Sequence, residues 1–249
     1  MRTLNKVFSA GLLLLGLMHS AHAVLPIEKL DPYKGAKVYL VQTKTLPMVD
    51  IEISIDAGDR YDPSGKSGLA DMTAALMSYG VRGDKGVLTE AQIADEIADL
   101  GANIGVSVGG ERAIMRIRSL SRQDLRDRAV QLAATMLSSP LYDAKILERE
   151  KQRSITNLLE AQTKPEFTLE RRFKKMVYGN NPLGDSPSVK SVGSVNVADL
   201  KQFHKTFYRG DRMIVSIVGD VSRSQAQDIV QVLLQKIPAN GPTIAQLPP

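Results

Sequence analysis

Alternation of apolar and polar positions opens the readable part of the chain. Val38-Tyr39-Leu40-Val41 is extended, and after a break at Leu46-Pro47 the residues Ile51, Ile53 and Ile55 alternate with Asp50, Glu52, Ser54 and Asp56. A period of two puts the isoleucines on one face and the polar residues on the other, as in a strand with one wet side. The two runs are expected to pair antiparallel. A turn-rich stretch, Asp62-Pro63-Ser64-Gly65-Lys66-Ser67-Gly68, follows; beyond it Leu69, Met72, Leu76 and Tyr79 recur at helical spacing up to Gly80. A second helix is expected from Thr89, whose hydroxyl caps while Gln92 reaches back, with Ile93, Ile97 and Leu100 on its apolar face and Gly101 at its end.

Residues 103–108 and 112–120 alternate again, and Gly109-Gly110 between them marks a hairpin. Ser121 is expected to cap a helix whose stripe is Leu125, Ala129, Leu132 and Met136. Asp143 opens a long polar helix running to about Tyr178, interrupted or kinked near Pro165. A helix over residues 197–208, a strand over 213–218 and a helix over 222–237 complete the order. This pattern predicts an α+β layered domain, a mainly antiparallel sheet covered by helices on one face. One lobe spans residues 24–237, and the proline-containing residues 238–249 read as a linker or tail.

With 43% hydrophobic and 24% charged residues, the chain has an ordinary globular composition, which excludes disorder and collagen. It has no cysteine, so thiolate metal sites, iron–sulfur clusters and catalytic thiols are excluded too. Arg2 and Lys6, the apolar residues 8–18 and Ala21-His22-Ala23 read as an export signal cleaved after Ala23, which implies a periplasmic or secreted protein. That apolar run is too short to cross roughly 30 Å of hydrocarbon, so no membrane span is expected after cleavage. The remaining charge is mildly basic and interleaved, as in Glu148-Arg149-Glu150-Lys151, which argues against nucleic-acid binding.

Cleavage would remove His19 and His22 and leave His204 as the sole imidazole. His204 sits on a charged helix with no strained nucleophile turn elsewhere, so it reads as a packing residue rather than part of a triad. Gly65-Lys66-Ser67 lacks the upstream glycine of a phosphate loop, Arg60 standing there, and reads as a plain connection.

The segment Gly68-Leu69-Ala70-Asp71-Met72-Thr73-Ala74-Ala75, with its flanking strands, resembles the pitrilysin/insulinase family of zinc metallopeptidases, whose first helix carries Gly-Leu-Ala and then His-x-x-Glu-His. Further parallels are Ala57-Gly58, Gly101-Ala102, the Glu148-Arg149-Glu150-Lys151 helix, residues 178–184, residues 208–213 and Gly219-Asp220-Val221. In that motif the histidines at i and i+4 share one helix face and hold Zn²⁺, the glutamate serves as general base, and a downstream glutamate completes the ligands. The matching positions here are Asp71, Ala74 and Ala75, with Asn157 near the downstream one. Alanine has no ligand atom. Without the metal, water keeps a pKa near 15.7 instead of about 7.

The resemblance therefore implies a homologue without its own catalytic residues and without zinc. It further implies a partner or peptide-binding subunit for a homologous subunit with the intact motif, acting in proteolysis on peptide substrates. Family members add peptide to a sheet edge, and the matching strand carries Asn103, Gly105, Val106 and Ser107, with Gly105 where the family usually has Asn. Two alternatives are a peptidase with a non-standard metal site using Asp71 and carboxylates such as Glu150, and a degenerate or truncated product, since family subunits normally contain two lobes and this chain supplies one.

Overall fold

A computed structural model of the chain describes residues 26–84, 86–179 and 181–244; the expected export signal lies outside them. The strands are β1 (Glu28–Tyr33), β2 (Ala36–Gln42), β3 (Met48–Ile55), β4 (Gly80–Gly83), β5 (Gly86–Thr89), β6 (Asn103–Gly109), β7 (Arg112–Leu120) and β8 (Met213–Gly219). The helices are α1 (Leu69–Ala75), α2 (Glu90–Asp99), α3 (Gln123–Ser138), α4 (Ala144–Ala161), α5 (Pro165–Tyr178), α6 (Val189–Ser194), α7 (Val197–Phe207) and α8 (Arg223–Leu234). Six strands form one sheet in the order β1-β2-β8-β3-β7-β6, and β4 with β5 makes a separate hairpin. Every neighbouring pair in the sheet is antiparallel except β2 with β8.

Alternation explains the layering. Ile51, Ile53 and Ile55 of β3, Met115 and Ile117 of β7, and Val215 and Ile217 of β8 are all buried on one face. Each such side chain contributes about 1.5–3 kcal/mol when fully removed from water. Helix α8 packs over β1 and β2, α3 over β7 and α8, and α1 against β6 and β7 with α7 beyond it. On the other face Asp50 stands opposite Arg118 and Glu52 opposite Arg116, paired at 2.6 Å and 3.1 Å. These exposed ion pairs add little stability; they keep that face wet.

Two local expectations need correction. The strands β2 and β3 are not neighbours, because β8 lies between them. β8 is nearly continuous in apolar residues and suits an interior position, whereas residues 43–47 carry Pro47 and no tight-hairpin signal. Ser121 does not cap α3: its hydroxyl donates to Asp220, 3.1 Å away, and Arg122 occupies the cap position without a side-chain capping bond. The long polar helix is interrupted as expected, α4 ending at Ala161 and α5 starting at Pro165, whose missing N–H costs nothing in a first helical turn. Helix α5 buries no residue, and Leu169, Phe173 and Met176 stand exposed on it. At the far end, the carbonyls of Pro238 and Ala239 accept from the N–H groups of Gly210 and Asp211, so the expected tail begins fastened to the lobe.

Helix α1 is fixed by the loop before it. The Asp62 carboxylate accepts from the N–H groups of Gly68 (2.7 Å) and Ala70 (2.8 Å), serving donors that no intrahelical carbonyl reaches. Upstream, the Gly58 N–H donates to Glu111 O at 3.0 Å, holding the loop against the β6–β7 turn. A Cβ on Gly58 would lie 2.2–2.4 Å from backbone atoms of Gly110, Glu111 and Arg112. His204 on α7 packs as a helix-interface residue, its Nε2 2.9 Å from Leu137 O and its ring stacked on Tyr208.

Two outcomes are expected. Gly58→Ala should destabilise the lobe by about 2 kcal/mol or more in urea unfolding, because the obstacle is backbone. Gly105→Ala, where an added Cβ meets nothing within 4 Å, should stabilise β6 by roughly 0.5 kcal/mol. The pH dependence combines two opposed contributions. Burial pushes Asp62 up to about 7 against its two hydrogen bonds, and the unfolded chain releases that proton near 3.8, so its contribution to stability falls as pH rises between these values. Burial pushes His204 down to about 4, and the unfolded chain takes up a proton near 6.5, so its contribution falls as pH drops between these values. Melting temperature against pH separates them: Asp62→Asn should leave a protein that weakens from pH 6.5 to 4, and His204→Gln one that weakens from pH 4 to 7.

Candidate functional site

Helix α1 begins after Gly68, whose φ of 100° is left-handed, and buries Leu69, Ala70, Met72, Thr73 and Ala74. The Thr73 hydroxyl donates to Leu69 O at 2.8 Å, so this buried polar group is satisfied inside the helix. Of the positions matching the metal motif, Asp71 reaches the surface, Ala75 is half-buried against the core, and Ala74 is 1% exposed. That exposure decides its role: the position where the family places its general base belongs to the packed interior here. The Asp71 carboxyl is raised first by desolvation and then by the negative charge of Asp59. Asp71 in turn pushes up the Tyr208 phenol, after the larger effect of that group's complete burial.

The rest of a ligand set does not assemble. Asn157 is exposed on α4, a helix whose main neighbour is α6. Glu150 is engaged by Arg149 at 2.8 Å and Arg153 at 3.8 Å. Among the described residues, no group of three His, Cys, Asp or Glu side chains is placed to hold a metal ion. A zinc site of the family's kind does not fit these residues, because Ala75 at a ligand position has no donor atom and Ala74 at the base position has no carboxylate. Neither Asp71 nor Glu150 belongs to a metal-holding group of three such side chains among the described residues, so the carboxylate site is not assembled either.

The proposed peptide-binding residues do come together. Asn103, Gly105, Val106 and Ser107 lie on β6, which ends the sheet and pairs only with β7 among the described strands. Asn103 and Ser107 are exposed, and Gly105 and Val106 are half-buried. In an antiparallel pair the backbone groups of alternate residues point away from the partner strand, so β6 offers them outward beside α1. Below that edge, the wet face of the sheet forms a basin of about 580 Å³ lined by Asp50, Glu52, Asn103, Arg116, Arg118 and Ser216. The Arg116 and Arg118 wall was not singled out by the sequence, although their alternation along β7 carried the signal. Asp62 was missed because its spacing from α1 matches no local capping pattern.

The family model described as Insulinase (Peptidase family M16) matches residues 37–188, and that of the Peptidase M16 inactive domain matches residues 194–249. A crystal structure of a peptidase M16 inactive domain from Pseudomonas fluorescens is 30% identical, with a TM-score of 0.83, over 90% of this chain and 53% of that one. The non-peptidase homolog YmxG of Helicobacter pylori is 22% identical over 86% of this chain and 48% of its own length. The mitochondrial-processing peptidase subunit beta of Saccharomyces cerevisiae is 23% identical over 76% of this chain and 40% of its own length. The chain thus spans about half the length, or less, of the curated relatives it matches. With a single family model covering most of the lobe, and the fold shared with an inactive domain of that family, the chain belongs to the insulinase family of M16 peptidases.

Proposed function

We propose that the chain is a zinc-free member of its family, acting in the periplasm or after secretion. There it serves as partner or peptide-holding subunit for a homologue that carries an intact His-x-x-Glu-His motif. One juxtaposition carries this reading: α1 lacks the base and a ligand at Ala74 and Ala75, while β6, packed beside it, keeps an open backbone edge. Strand addition draws its affinity from main-chain hydrogen bonds, so it survives the loss of the metal. Export is supported by Arg2, Lys6, the apolar residues 8–18 and Ala21-His22-Ala23. Two relatives lend further support, one named a non-peptidase homolog and the other a subunit of a processing peptidase.

Two measurements test the proposal. Coexpressed with a motif-bearing homologue, the chain should co-elute with it and lower the KM for peptide cleavage; failure to associate overturns the partner role. Fluorescence anisotropy of a labelled extended peptide should show binding that weakens several-fold for each outward-facing backbone nitrogen that is methylated, at about 0.5–1.5 kcal/mol per lost hydrogen bond. Binding indifferent to N-methylation removes β6 as the holder.

A further inference from the structure

Away from α1 and β6, a second basin of about 490 Å³ lies where α5 meets the loop before α1 and the segment leading into α6. Arg171 and Arg172, with Lys175 about one turn further along α5, form its cationic wall. Elsewhere the arginines are mostly matched to carboxylates, as Arg60 and Arg212 are to Asp56 and Arg223 is to Glu28. Here they are not. Arg171 donates to the Pro187 carbonyl at 2.6 Å, which anchors its guanidinium without neutralising it. Among the described residues Arg172 has neither a hydrogen bond nor an ion pair, and Glu166 and Glu170 on the same helix pair with neither arginine. Only Lys175 meets an acid, Asp185 at 3.0 Å.

The opposite wall is hydroxylic. Ser188 and Ser191 are held in the capping box of α6, and the Ser191 hydroxyl donates to Ser67 O at 2.9 Å, which ties the two loops together. Ser64, Ser67 and Ser186 also line the basin, and their hydroxyls have no partner among the described residues. Lys66 is not part of it: its ammonium binds the Asp199 carboxylate on α7. The Gly65-Lys66-Ser67 run is therefore no phosphate loop, yet its serine and glycine still face a cationic surface.

We infer that this basin binds a phosphate monoester. Three cations offset by Asp185 match the charge of −1.5 to −2 that such a group carries near pH 7. Two guanidinium forks with free hydroxyl donors suit a tetrahedral oxyanion with three acceptor oxygens better than a carboxylate with two. The basin exceeds a bare phosphate, which leaves room for the esterified part. That part belongs either to a soluble metabolite or to a lipid headgroup, and the exposed Leu169, Phe173 and Met176 on the same helix give the lipid source a physical route.

The test uses the full chain with glycerol phosphate, acetate as a carboxylate control, and phosphatidylcholine vesicles with or without phosphatidic acid. Calorimetry should show glycerol phosphate binding well ahead of acetate. Arg172→Gln should weaken it by about tenfold or more, as expected for one charge-assisted bond, while Lys201→Gln on α7 should not change it. Arg172 is exposed and unpaired, so this variant should melt with the parent. Arg172-dependent binding only to vesicles containing phosphatidic acid assigns the site to lipid. Absence of binding to both probes, equal affinity for acetate, or an unchanged affinity in Arg172→Gln overturns the inference.

Discussion

The candidate site depends on how a seven-residue helix is pinned beside the last strand of the sheet. Isolated helices this short do not persist in water, so α1 exists because its surroundings hold it. The Asp62 carboxylate takes two of its free N–H groups, and its apolar face packs on β6 and β7. The loop preceding it is clasped to the β6–β7 turn through Gly58, at a separation that leaves no space for a side chain. Helix, loop and edge strand therefore form one unit. A peptide lying along β6 would run past α1 whether or not that helix carries chemistry.

This arrangement explains how the chemistry can be lost while the fold stays. Among the residues that carry the family resemblance, Gly58 and Gly210 sit where the backbone leaves no room for a side chain. At Gly210 a Cβ would come within 2.1 Å of the Lys34 carbonyl, which joins the start of β8 to the β1–β2 turn. The metal motif makes no such demand. Alanine at positions 74 and 75 suits a helix, and Ala74 is packed into the core. The charged ladder across β3 and β7 and the open edge of β6 do not rely on a metal at all.

Much of this was legible in the sequence, and the misses have physical causes. The alternations in β3, β6 and β7, the Thr89 capping box and the Asp143 cap were readable because each is a local pattern with one structural solution. β1 escaped because Pro32 and its charges suit only an edge strand, where alternation is weak. The β4–β5 hairpin and α6 are too short to show a period. The insertion of β8 between β2 and β3 is a choice among long-range pairings that no local spacing encodes. At the site, the missing donors were readable residue by residue. The anchoring by Asp62 and the cationic wall on α5 were not, since both depend on segments brought together only by folding.

Helix α1 keeps its place in the fold while Ala74 and Ala75 leave it without the base and one ligand of a catalytic metal site. Equilibrium dialysis of the purified chain against zinc, followed by metal analysis and a peptide-cleavage assay on the same sample, addresses it directly. Far less than one zinc per chain is expected, with no cleavage above the buffer control. One zinc per chain together with unaided cleavage, both abolished by Asp71→Ala, would contradict it.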